Sequence, residues 1–167
     1  MERRHFLKTA AIAVPSLGYG IRSVQAQGSK ERPPRIPDDL VKQFVSAGHN
    51  NLSEIQRLLA EEPGLLYASW DLGGGDFESA LDGAGHVGDK EIAQYLIGKG
   101  ARASIFVHAM LGRTDLVKRM IELDPAVLHS KGPHGLTLLH HAERGGASEL
   151  AEYLLAAGLN DKKLPIP

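Results

Sequence analysis

Four segments of this chain superpose on one another, and no other feature restricts its fold so strongly. Glu54-Ile55-x-x-Leu58-Leu59, Glu91-Ile92-x-x-Tyr95-Leu96, Asp115-Leu116-x-x-Arg119-Met120 and Glu149-Leu150-x-x-Tyr153-Leu154 each carry an acid followed by apolar residues one and five positions later. That spacing marks one face of a helix. Three residues ahead of each acid stand Asn51, Gly88, Gly112 and Gly146, and four further back stand Ala47, Ala84, His108 and Ala142. Apart from His108, a small residue recurs where two helices would approach closely. The repeated unit is therefore a short helix, a tight turn at Gly or Asn, and a second helix with an Ile/Leu stripe. One such pair cannot bury its own stripe, so neighbouring pairs must stack.

The Gly/Asn marker advances by 37, 24 and then 34 residues. The fourth unit reads Gly135-x-Thr137-Leu138-Leu139-His140-x-Ala142-x-x-x-Gly146 and ends Leu154-Leu155-Ala156-Ala157-Gly158. It resembles the T-P-L-H-x-A pattern of ankyrin repeats, whose period is about 33 residues. Ser79-Ala80-Leu81-Asp82-Gly83-Ala84 occupies the same place in the second unit. The resemblance covers residues 38–160. It implies an all-α ankyrin-repeat solenoid of about four helix-turn-helix units with short or truncated hairpin fingers. The short step to the third unit leaves only Ala103-Ser104-Ile105 for a finger, and the first unit lacks the T-P-L-H match, as terminal caps often do.

The front of the chain is different in kind. Arg3-Arg4-His5-Phe6-Leu7-Lys8 precedes a mildly apolar stretch and a small-residue exit at Val24-Gln25-Ala26, the three-part plan of an export signal. Arg3, Arg4, Phe6, Leu7 and Lys8 resemble the bacterial twin-arginine signal. Residues 1–26 are thus expected to be a signal peptide, which implies a periplasmic or secreted protein. Residues 27–37 are polar and proline-rich and read as a flexible tether. The closing stretch 161–167 reads as a disordered tail.

Composition removes several functions. With 19 basic and 20 acidic residues the net charge is −1, which argues against a nucleic-acid partner. The chain has no Cys, and so no disulfide, thiolate metal site or cysteine nucleophile. No apolar run reaches the roughly 18 residues of a membrane span. No serine stands in a G-x-S-x-G elbow, and the glycines at 73–75 lack the Lys-Ser/Thr of a phosphate loop. The acidic pairs Glu61-Glu62 and Asp38-Asp39 fall at helix ends, where charge is normally solvated. No catalytic residues, cofactor or metal are expected.

The candidates that remain are surfaces. Trp70, the only tryptophan, stands with Asp71, Asp76, Phe77 and Glu78 around Gly73-Gly74-Gly75. Aromatics among charges are the composition of a protein-binding hot spot, and in ankyrin proteins the fingers belong to the binding surface. Superposition also sets His49, His86, Met110 and Arg144 in one column, where a histidine pair from neighbouring units would be pH-sensitive. Of the eight histidines, His140 takes the structural place of the repeat motif, while His129, His134 and His141 fall on or near the last finger. Their spacing is a poor match to zinc sites. The leading expectation is an exported module of the cell envelope that binds a protein partner through Trp70, Asp71, Asp76, Phe77, Glu78, His86, Met110, His134, His141 and Arg144. The alternative is a metal-binding or enzymatic protein with a histidine site on the fingers.

Overall fold

The computed structural model describes residues 32–166. The export-signal residues Arg3, Arg4, Phe6, Leu7, Lys8 and Ala26, and residues 27–31 of the tether, lie outside the described residues. From Arg35 onward the chain forms one compact unit, and its described part is mostly helical. Its helices are α1 (Asp38–Ala47), α2 (Leu52–Glu61), α3 (Ala80–Val87), α4 (Lys90–Gly98), α5 (Ile105–Met110), α6 (Thr114–Leu123), α7 (Leu138–Arg144) and α8 (Ser148–Ala156).

Local chemistry starts most of these helices. Asn51, Asp89, Ser104 and Thr137 each accept a hydrogen bond from a first-turn amide of α2, α4, α5 and α7. Ser79 forms a full capping box with Asp82 at α3. Gly88 ends α3 in the left-handed region at φ +86°, and a Cβ there would meet the backbone carbonyl of Arg144 at 2.5 Å. Glycine is needed on both counts.

The helices pack as four pairs, α1 with α2, α3 with α4, α5 with α6 and α7 with α8, and the first helices stack in series, α1 on α3, α3 on α5 and α5 on α7. Helix α3 also touches α7 directly. The apolar stripes fill two regions. One centres on Phe44, Leu58, Leu81 and Leu96, the other on Leu139, Leu150 and Leu154. In α6 the buried residues are Val117 and Ile121, while Leu116 and Met120 are exposed. That helix presents the face one residue further along than the aligned pattern places it, a turn of roughly 100°.

The mostly helical architecture agrees with the all-α expectation, and the little strand present is a short ribbon: β1 (Ser69–Asp71) and β2 (Phe77–Ser79) pair antiparallel between α2 and α3, in register Ser69–Ser79, Trp70–Glu78 and Asp71–Phe77. Three glycines with positive φ turn the ribbon. One expectation needs correction: residues 161–164 of the tail, expected to be disordered, are hydrogen-bonded to the connection before α7. Leu164 donates its amide to Gly135 O at 2.8 Å, Thr137 donates its amide to Lys162 O at 3.0 Å and its hydroxyl to Asp161 O at 2.7 Å. The last connection would otherwise leave polar groups unpaired at Gly135 and Thr137, and Asp161, Lys162 and Leu164 satisfy them. The connection between α4 and α5 has no strand, in keeping with the short third step.

Candidate functional site

Strand β2 separates two neighbouring side chains. Alternation sends Phe77 outward, where it is 58% exposed, and Glu78 inward, where it is 3% exposed. Glu78 was expected on an exposed finger surface; it is instead among the most buried polar residues described. Its position is rigid, since the next residue caps α3 and Ser104 donates a further hydrogen bond to Asp82 at 2.9 Å.

Three histidines from three parts of the chain converge on Glu78 Oε1. His86, near the end of α3, brings Nδ1 to 3.0 Å; His134, from the connection before α7, brings Nε2 to 3.5 Å; and His49, just beyond α1, brings Nε2 to 3.6 Å. The rings meet edge to face, His49 with His86 at 4.8 Å between centroids and His86 with His134 at 5.1 Å. Burial works to raise the Glu78 carboxyl, but the contact with His86 and the positive charge available on His86, His49 and His134 outweigh it. The group is held below the ordinary carboxylate range.

Each histidine is fixed from behind. His49 Nδ1 lies 3.2 Å from both Val45 O and Ser46 O, and its ring occupies space left by the missing side chain of Gly83. His134 Nδ1 is 3.4 Å from Asp76 Oδ2, while its amide donates to the same carboxylate at 2.9 Å. His134 is also the one non-glycine residue with positive φ among those described, at 59°. Such a conformation costs a β-carbon roughly 1 kcal/mol or more and persists where the surroundings enforce it. His86 is held through its carbonyl, which accepts from His140 Nε2 at 3.0 Å.

The other sequence candidates separate. Met110 was expected in a surface column, but it is wholly buried in the core. The apolar side chain belongs there because the short α5 lies between α3 and α7. His141 was expected on the surface as well; it is 1% exposed, donates Nδ1–H to Thr137 O at 2.8 Å and packs against Phe106. Burial, only partly offset by that hydrogen bond, pushes its pKa down to about 4. His129 is exposed, and the suggested grouping of His129, His134 and His141 does not form. Arg144 is exposed and donates to Val87 O at 3.0 Å. Asp71 is an exposed turn residue accepting from Gly73 N at 2.8 Å. Asp76 is turned inward to His134.

Trp70 is half-buried, with Lys42 Nζ 4.3 Å above its ring. Beside it, the ribbon and α1 enclose an open groove of about 390 Å³ lined by Ile36, Val41, Ala68, Trp70 and Phe77 among others.

The chain matches no protein-family model and no curated protein. No helix among the described residues is long and apolar enough to cross a membrane.

Proposed function

We propose that this chain is an exported ankyrin-type repeat module that binds a protein partner in the bacterial cell envelope. The observation that carries the reading is the β1–β2 ribbon, which presents Phe77 and the edge of Trp70 over a groove beside α1. An apolar floor with charged neighbours, here Arg35, Asp38 and Lys42, suits one inserted apolar side chain of a partner with polar contacts at the rim. The serial stacking of first helices and the Gly135-to-Ala142 motif support an ankyrin-type solenoid. The Arg3-Arg4-x-Phe6-Leu7-Lys8 pattern supports export.

Capture from envelope extract with the purified protein as bait tests the reading. Trp70→Ala is expected to weaken binding of the captured partner by at least ~2 kcal/mol. Unchanged affinity in a folded Trp70→Ala variant removes the ribbon as the docking surface.

A further inference from the structure

The polar atoms around Glu78 are badly placed for hydrogen bonds with one another. Oε1 and His86 Nδ1, 3.0 Å apart, are both buried without a hydrogen-bond partner, so their separation is short but their alignment is wrong. The 3.5 and 3.6 Å separations to His134 and His49 exceed the usual N–H···O range. The tautomers make matters worse. Val45 O and Ser46 O are acceptors only, so in the neutral ring His49 Nδ1 carries the hydrogen and Nε2 turns a lone pair toward Glu78. A buried carboxylate facing lone pairs is unstable unless positive charge stands between them.

Those distances suit a shared cation. Around a tetrahedral ion with bonds of about 2.0–2.1 Å, adjacent ligand atoms stand roughly 3.3 Å apart. Glu78 Oε1 lies 3.0 Å from His86 Nδ1 and 3.6 Å from His49 Nε2, and His49, Glu78 and His86 each offer a ligand atom within 4.8 Å of the other two. We infer that these three atoms bind one divalent transition-metal ion of the zinc class. Two imidazoles and one carboxylate favour zinc-like ions over magnesium or calcium, which prefer oxygen. The backbone carbonyls behind His49 are the outer-shell support that metal-bound histidines ordinarily have. Glu78 is sealed, yet His49 and His134 keep 28% and 36% of their side chains exposed, so an ion has a way in and a fourth position faces solvent. His134, held by Asp76, is a positioning residue beside that opening. Metal binding here is independent of the groove at Trp70.

The test is titration of the full chain, stripped with chelator, with Zn²⁺ by calorimetry and with Co²⁺ by visible absorption. One equivalent is expected to bind with Kd below about 1 μM, with a Co²⁺ spectrum showing nitrogen ligation. His49→Ala, His86→Ala and Glu78→Gln should each weaken binding by about 100-fold or more, whereas His129→Ala should leave it unchanged. Glu78→Gln preserves shape, so it carries the comparison if an alanine variant loses its helical circular dichroism. Binding weaker than about 100 μM, or equal affinity across these folded variants, overturns the proposal and leaves a cluster charged by protons alone.

Discussion

His141 shows how one side chain can set the acid limit of this fold. Its ring is sealed between Phe106 and the start of α7, and its pKa falls to about 4. An unfolded chain would bind that proton near pH 6.5. Between about pH 6.5 and 4 the unfolded state therefore holds the proton and the native state does not, so stability falls as pH is lowered through this window. The slope is at most about 1.4 kcal/mol per pH unit, and the whole effect is about 3 kcal/mol. His141→Gln keeps a donor for Thr137 O and removes the titration. Urea melts at several pH values should give a flatter stability curve for that variant between pH 4 and 6.5. An identical slope would assign the acid sensitivity to other groups.

Among the elements, α3 is built with a weakness that has a use. Gly83 sits inside that helix, where glycine costs roughly 0.5–1 kcal/mol relative to alanine. A Cβ there would stand 3.0 Å from His49 Cε1 and 3.1 Å from Nδ1. Gly83→Ala should therefore fail to give the expected gain in thermal stability, and it should lower Zn²⁺ affinity by turning the His49 ring. A more stable variant with unaltered affinity would show that the ring has room to spare. The helices themselves were legible because apolar residues at four-residue spacing report a buried face directly. The rotation of α6 was not, since Leu116 and Val117 are both apolar and only packing chooses between them. Glu78 was readable in kind but not in place. Its neighbour Phe77 suggested an exposed finger, and the alternation of a three-residue strand is too short to declare which side is buried. His49 and His86 could be set in one column by the repeat; that His134 joins them depends on a contact spanning 58 residues.

At the scale of the molecule, the closing residues are part of the fold. Truncation after Asn160 removes the partners of Gly135 O, Thr137 N and the Thr137 hydroxyl. Thr137 is buried, and an unsatisfied buried polar group costs about 1–3 kcal/mol. The truncated chain is expected to melt at a lower temperature while keeping its helical signal, as circular dichroism would register. An unchanged melt would mean that water replaces the tail without loss. Deletion should also loosen the Pro133–Gly135 turn that carries His134, so a truncated protein tests the tail and the histidine cluster together.

The bonds from His134 N to Asp76 link the connection before the fourth helix pair to the ribbon before the second, passing over the third. In a stack whose members touch only adjacent members, the ends can fray one at a time and melting spreads stepwise along the array. A bond that skips a member turns the line into a loop. The fourth pair cannot peel away without opening the second, and the third is enclosed between them. The array should accordingly behave as one cooperative block, with amides of α7 and α3 exchanging in the same opening event.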